Sequence, residues 1–249
     1  MKPIQDRIAV ITGAASGIGR ASAQLLAEAG AHVVIADIAL DKGRAAAAQL
    51  REQGHRADHL AVDLTDETSI KTFADTVTTQ IGTVDVLVNG AGWGKTQPFW
   101  EGTPEFWSKV IALNFVGPMQ LVKALLPLMM ERRSGSIVNI ASDAGRVGSL
   151  GETVYSGAKA GLIGFTKSLA RETARYGINV NCVCPGPTET PLLFALPEKH
   201  LEAFKRAIPM RRFAQPAEIA EAVAFFASER ARYITGQVLS VSGGLTMAG

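Results

Sequence analysis

The sequence predicts an α/β fold: a doubly wound parallel sheet of seven strands with helices on both faces. Three observations carry it. Short apolar, β-branched runs alternate with longer segments of helical periodicity, the pattern of repeated βαβ units. The first run ends in a glycine-rich turn, Thr12-Gly13-Ala14-Ala15-Ser16-Gly17-Ile18-Gly19, that opens a helix. Gly13, Asp37, Asp63, Asn89, Ser142 and Pro185 fall at six strand ends, where ligands of such sheets bind.

The first strand is Ile8-Ala9-Val10-Ile11, apolar throughout and suited to burial on both faces. From Gly17 the period changes. Ile18, Ala21, Leu25, Leu26 and Ala29 recur at spacings of three and four, and Gly30 ends the helix. The second strand, 31–36, stops at Asp37. Further strands are expected over 57–63, 84–89, 136–142, 178–185 and 237–242. Helices are expected over 41–53, 66–81, 104–132, 154–176 and 216–228. Pro118 and Pro127 should interrupt the long central one, because proline cannot donate to the helical ladder. No linker, charge run, low-complexity tract or repeat divides the chain, so residues 1–249 are expected to form one domain.

Composition narrows the function classes. The chain has 249 residues, 47% of them hydrophobic, ample for one large core. A net charge of +2 and the lack of a basic stripe with interleaved aromatics argue against nucleic acid. Met1-Lys2-Pro3-Ile4-Gln5-Asp6 lacks the apolar core of a signal peptide, and no apolar run reads as long enough to span a bilayer. A soluble cytoplasmic protein is therefore expected. The two cysteines, Cys182 and Cys184, have no His or further Cys nearby and make a poor metal site. They read as buried residues on one face of a strand, and no metal is expected.

The glycine turn sits where a strand meets a helix N-terminus. Backbone N–H groups there have no helical partner, and glycines let a pyrophosphate approach closely. Alone, such a turn would also fit an ordinary βα connection. Asp37 sharpens the reading, because it falls 18 residues after Gly19, near the spacing of an acid that binds the adenosine ribose. Together these give a dinucleotide-binding Rossmann fold. Asp37 would accept from the ribose hydroxyls and repel a 2′-phosphate. Two unit charges ~4 Å apart at an effective dielectric near 20 interact by about 4 kcal/mol. NAD is thus the expected cofactor, with Lys42 and Arg44 as cations that would soften the discrimination or simply form a solvated helix face.

Over nearly its whole length the chain resembles the short-chain dehydrogenase/reductase family. The matching segments are 12–19, Asp63-Leu64, Asn89-Gly90-Ala91-Gly92, Asn114, Ser142, Tyr155-Ser156-Gly157-Ala158-Lys159, Pro185-Gly186 and Ile234-Thr235-Gly236-Gln237. One position departs: the fourth-strand motif usually reads Asn-Asn-Ala-Gly, and Gly90 replaces its second Asn. The resemblance implies that Tyr155 is the acid/base and that Ser142 holds the substrate oxygen. It implies that Lys159 holds the nicotinamide ribose and that Asn114 supports a water-linked proton relay. It further implies cofactor contacts from Gly13, Ser16, Gly17, Ile18, Gly19, Asp37, Asp63, Leu64, Asn89, Ala91, Gly92, Tyr155, Lys159, Pro185, Gly186, Thr188 and Thr190. A tyrosine titrates near 10, and an ammonium ~4 Å away supplies enough Coulomb energy to lower that by two units. Lys159, four residues on along a helix, is expected to do this to Tyr155. A homotetramer is expected from the same resemblance.

The substrate side is a lid at about 188–212. Thr190-Pro191 also reads as a helix N-cap and first turn. Leu192, Leu193, Phe194, Leu196 and Phe204 lie among Lys199, His200, Lys205, Arg206, Arg211 and Arg212. Trp93, Phe99, Trp100, Ala144, Val147 and Leu150 are candidate apolar walls. A greasy pocket with a basic rim suits an alicyclic or acyl thioester with phosphates to meet the cations, as a solvated amphipathic helix also would explain. Gly92-Trp93, 139–144, Arg146-Val147-Gly148, 183–188 and 236–247 are similar to dehydrogenases of 2-hydroxycyclohexanecarboxyl-CoA within that family. The expected activity is NAD-dependent interconversion of a secondary alcohol and a ketone. The alternatives are a 3-oxoacyl thioester (ACP) reductase, whose usual NADPH Asp37 argues against, a general cyclic or aromatic secondary alcohol dehydrogenase, and a catalytically silent NAD-binding scaffold.

Overall fold

The computed structural model describes residues 4–247. The first three residues of the N-terminal stretch discussed above, and residues 248 and 249 of the expected domain, lie outside them. The chain alternates as β1 (Ile8–Thr12), α1 (Gly17–Glu28), β2 (His32–Ala36), α2 (Leu40–Glu52), β3 (Ala57–Leu60) and α3 (Glu67–Thr76). β4 (Val86–Asn89), α4 (Pro104–Ile111), α5 (Gly117–Arg132), β5 (Gly135–Ile140), the short α6 (Ala144–Val147) and α7 (Thr153–Thr173) follow. The chain then gives β6 (Ile178–Pro185), α8 (Pro191–Phe194), α9 (Glu198–Ala207), α10 (Pro216–Ala227) and β7 (Val238–Val241).

All seven strands are parallel, in the order β3-β2-β1-β4-β5-β6-β7. The order reverses between β1 and β4, where Ala9 faces Val86. That reversal opens a crevice beyond the strand ends, the place where α/β sheets bind ligands. Strand side chains alternate between two cores. Ala9, Ile11, Val33, Ile35, Val86 and Val138 pack on α1, α2 and α10 through Leu26, Leu50 and Val223. Val10, Val34, Leu87, Ile137 and Val180 pack on α3, α5 and α7 through Phe73, Leu121, Leu125 and Leu169. Burial on both faces explains why these strands read as continuous apolar runs.

β3 is shorter than the expected 57–63. It is an edge strand whose one partner, β2, ends at Ala36 opposite Leu60, so 61–63 have no ladder to join. The central helical stretch also differs from expectation. It runs from Pro104 to Arg132, with a π-helical turn at Ala112–Val116 just before Pro118. Pro118 has no N–H to return to the Asn114 carbonyl four residues back, and the wider turn accommodates it. Pro127 does not end the helix, because Val122, Leu125 and Met129 around it are held in the core. The 29-residue stretch is, by length and composition, apolar enough to cross a membrane, contrary to the expectation. One side of it packs on the sheet, and 39% of its most apolar window is buried.

Cys182 and Cys184 are buried free thiols with Sγ atoms 3.9 Å apart. Among the described residues, no group of three or more His, Cys, Asp or Glu side chains is placed to hold a metal.

Candidate active site

The glycine turn closes over the crevice. Gly13 has φ 68°, and a Cβ there would lie 2.8 Å from Ala91 Cα, so only glycine lets the first and fourth strand ends approach this closely. A Cβ on Gly19 would lie 2.3 Å from the Gly13 carbonyl oxygen. The Ser16 hydroxyl makes no capping bond to α1 and is exposed, which leaves it and the first N–H groups of α1 for an anion. Asp37 stands at the rim, where its carboxylate accepts from Ala15 N and Ala39 N, both at 2.9 Å. The residues of this cradle fit a dinucleotide: closely packed glycines and unpartnered N–H groups at the start of α1 for a pyrophosphate, with a carboxylate at the ribose end.

The other predicted cofactor residues surround the same crevice. Thr12 Oγ1 accepts from Gly90 N and Ala91 N, at 3.0 and 3.1 Å, and so fixes the loop after β4. A Cβ on Gly90 would meet the Thr12 carbonyl at 2.8 Å, which explains the missing second Asn in local terms. Asn89 donates to Asn139, and Asn139 donates to Thr166, both at 2.8 Å; Asn89 Oδ1 is buried with no partner among the described residues. Asp63 accepts from Thr65, and Leu64 is buried beside it. Thr190 caps α8 through Leu193 N, as its sequence suggested, and its methyl carbon would lie 3.1 Å from a Cβ on Gly17. The lid base therefore touches the phosphate turn. Thr188, buried, bonds the Gly186 carbonyl at 2.9 Å.

Asn114, Ser142, Tyr155 and Lys159 converge. Ser142 hydrogen-bonds the Tyr155 hydroxyl. Lys159 Nζ lies 5.6 Å from the Tyr155 ring centroid. A Cβ on Gly92 would sit 3.0 Å from Asn114 Oδ1 and 3.2 Å from Lys159 Nζ, so these two groups flank the same glycine. Asn114 is buried in the π-helical turn; its Nδ2 donates to the carbonyls of Trp93 and Val110.

The electrostatics correct one expectation. Tyr155 keeps some exposed surface, but its hydroxyl end is enclosed, and burial pushes its pKa above the usual tyrosine value. The Glu152 carboxylate pushes the same way, and the Ser142 bond opposes both. Lys159 does not lower it here. Its ammonium donates to the Ile140 carbonyl at 2.9 Å instead, and burial brings it down to about 8.

That depression has a stability consequence. Below pH 8 both folded and unfolded chains carry the Lys159 charge, and the folded one bears the full desolvation cost. Between 8 and 10.5 the unfolded chain binds more protons, so stability rises with pH. Lys159→Met should make the cofactor-free protein more stable at pH 7, by up to about 3 kcal/mol less the lost Ile140 bond. The gain should shrink toward pH 10. Urea unfolding at both pH values measures it, and a gap independent of pH would refute it.

The lid is only partly as expected. Leu193, Ile208 and Phe213 form its small core, with Leu196, Leu201 and Phe204 against it. Leu192, Phe194 and Val147 face outward, and Leu150 and Trp100 are almost wholly exposed. Arg212 is not a free rim cation. It forms a two-point ion pair with Glu218 at 2.6 Å, which holds that carboxyl down at about 2 and ties the lid to α10. Arg211 donates to the Arg206 carbonyl. Lys205 and Arg206 remain exposed.

Sequence reading missed Glu152 and Lys95. Both line a concavity with Tyr155. Glu152 is the residue just before α7, outside the helical repeat, so helical spacing from Tyr155 does not flag it. Lys95 lies on an irregular loop, where no periodicity could flag it.

A family model described as Enoyl-(Acyl carrier protein) reductase matches residues 13–246. The cis-4-hydroxycyclohexanecarboxylate dehydrogenase of Sinomonas cyclohexanicum is 43% identical over 242 residues, 97% of either chain. The 3-oxoacyl-[acyl-carrier-protein] reductase of Thermotoga maritima is 38% identical over 244 residues, 98% of this chain and 99% of that one. The crystal structure of 3-oxoacyl-[acyl-carrier protein] reductase from Brucella melitensis superposes with a TM-score of 0.94 at 35% identity, covering 99% of this chain and 94% of that one.

Proposed function

Because the chain belongs to the short-chain dehydrogenase/reductase family, we propose that it interconverts a secondary alcohol and a ketone with NAD(H), on an alicyclic or hydroxyacyl thioester substrate. One observation carries the reading: the enclosed Tyr155 hydroxyl, bonded to Ser142 and close to Lys159, stands by the strand-end crevice that the glycine turn borders. The nicotinamide, when bound, supplies the hydride acceptor or donor. The chain supplies the rest. Tyr155 takes the alcohol proton or returns it to the ketone oxygen. Ser142 holds that oxygen within reach of Tyr155. Lys159 would hold the nicotinamide ribose, and Asn114 fixes the Trp93 loop and would support a water-linked proton path from Lys159 to solvent. Gly13, Ser16, Gly17, Ile18 and Gly19 would hold the pyrophosphate and Asp37 the adenosine ribose. Asp63, Leu64, Asn89, Ala91, Gly92, Pro185, Gly186, Thr188 and Thr190 would complete the cofactor cleft.

Residues 1–249 then act as one catalytic domain with a lid at about 188–212, in a cytoplasmic setting that suits two unjoined thiols 3.9 Å apart. The Sinomonas relative supports an alicyclic alcohol; the Thermotoga and Brucella proteins, by their names, favour a second reading, reduction of a 3-oxoacyl thioester. NAD- and NADP-linked turnover across cyclic alcohols, 2- and 3-hydroxyacyl thioesters and simple secondary alcohols separates the two. A folded protein with no turnover on any of them would defeat both.

We also infer a homotetramer. Only 39% of the most apolar window on the 104–132 helix is buried, and Gly157 and Gly164 on α7 have no neighbour within 4 Å of a Cβ position. Such faces suit a second copy packed closely. Light scattering at micromolar concentration should give about four times the 26.3 kDa chain mass; a monomer refutes it.

A further inference from the structure

Gly43 is the fourth residue of α2 and is buried, and a side chain on another element explains why it is glycine. A Cβ there would lie 2.2 Å from His59 Cδ2 and 2.3 Å from His59 Nε2, closer than a real Cβ approaches any heavy atom. Glycine inside a helix is destabilising relative to alanine. α2 carries it at the one point where the half-buried His59 ring, on edge strand β3, sits against helix backbone. The seat is tied down. Arg20 of α1 donates from Nη1 to the Ala46 carbonyl at 2.8 Å and from Nη2 to Gln49 at 2.6 Å, so α2 is joined to the helix that the glycine turn opens.

The seated ring reaches Asp37. His59 Nε2 lies 3.4 Å from the Asp37 carbonyl oxygen, which can only accept, so this nitrogen carries the proton. Among the described residues no other group donates to that oxygen. The strand ladder holds this point weakly. The Asp37 N–H meets the Leu60 carbonyl at 3.4 Å, whereas on the other side of β2 the Gly13 N–H meets the Ala36 carbonyl at 2.9 Å. Asp37 stands one residue past the last paired position of β2. Its carboxylate accepts from Ala15 N and Ala39 N, but the Ala39 bond lies within the 37–39 turn and moves with it. The His59 ring therefore adds a support that the ladder does not give.

We propose that His59 is a positioning residue for cofactor selection: seated on Gly43, it holds the Asp37 backbone so that the carboxylate faces an adenosine ribose and opposes a 2′-phosphate. This role rests on the reading above, in which Asp37 meets that ribose.

Fluorescence titration with NADH and NADPH tests it without a substrate. The wild type should bind NADH at least about tenfold more tightly than NADPH. His59→Leu keeps much of the ring's bulk and removes the donor. It should weaken NADH binding about fivefold, the worth of one hydrogen bond, and leave NADPH binding unchanged or tighter, so that the preference falls at least about threefold. His59→Gln sets a donor nitrogen the same number of bonds from Cα and should stay within about twofold of the wild type. Gly43→Ala should resemble His59→Leu, because it pushes the ring off its seat, and should change little further in a His59→Ala background. An NADH-preferring wild type beside a His59→Leu variant of unchanged preference overturns the His59 role and leaves Asp37 standing. Equal losses in the Leu and Gln variants make His59 a packing residue and overturn it too. So does a Gly43→Ala effect that persists without the ring, since α2 itself would then have moved. A wild type indifferent to the 2′-phosphate overturns the Asp37 reading and the His59 role together.

Discussion

Tyr155→Phe is expected to lower kcat by at least 10²–10⁴-fold, the usual worth of a general acid/base, and to leave NADH binding nearly intact. The variant removes one oxygen. The ring still packs against Gly94, whose Cβ position is 3.2 Å from Tyr155 Cδ2, so the surrounding loop keeps its support. The Ser142 hydroxyl loses its Tyr155 partner but still accepts from Ala144 N at 3.1 Å. Fluorescence titration with NADH and steady-state rates separate the two effects. Near-wild-type turnover would remove Tyr155 from the chemistry.

The second large effect concerns the cofactor. The kcat/KM for NAD should exceed that for NADP by at least about tenfold, well inside the ~4 kcal/mol repulsion between Asp37 and a 2′-phosphate. The structure strengthens this expectation by showing how the charge is held. Two backbone N–H groups, of Ala15 and Ala39, fix both carboxylate oxygens at the rim. Asp37→Asn should therefore bring the two cofactors much closer together and weaken NAD binding. Equal use of both by the wild type would show that Lys42 and Arg44, exposed on α2, outweigh Asp37.

Most of the frame was legible because the central strands are buried on both faces and stop at residues of distinct chemistry. Gly13, Asp37 and Asn89 announce the crevice by type and spacing alone. What was not legible depended on neighbours distant in sequence. Nothing in 57–63 tells that β2 stops at Ala36 and leaves the last three residues unpaired. Arg212 reads as a rim cation by sequence, and its pairing with Glu218 at the start of α10 depends on the turn between them. The pKa of Tyr155 was misjudged for a related reason. Helical spacing brings Lys159 onto the right face but does not say that its ammonium turns to the Ile140 carbonyl, or that the hydroxyl is enclosed. Glu152 acts on Tyr155 from the turn before α7, a proximity set by the 149–152 loop and not by any helical repeat.

The π-helical turn at Ala112–Val116 has a geometric consequence for the whole molecule. Val110 and Met129 are both fully buried on the same long helical stretch, nineteen positions apart. At about 100° per residue an unbroken α-helix would rotate Met129 roughly 100° past five full turns, away from the sheet. One extra residue, taken up in the wide turn, cancels that drift for this pair and returns Met129 to the side of Val110. The turn itself carries Asn114, whose Nδ2 donates to the Trp93 and Val110 carbonyls, so the widened part of the helix also faces the loop after β4. Deleting one residue between 112 and 116 should rotate all that follows by about 100° and take Met129 off the face that Val110 keeps.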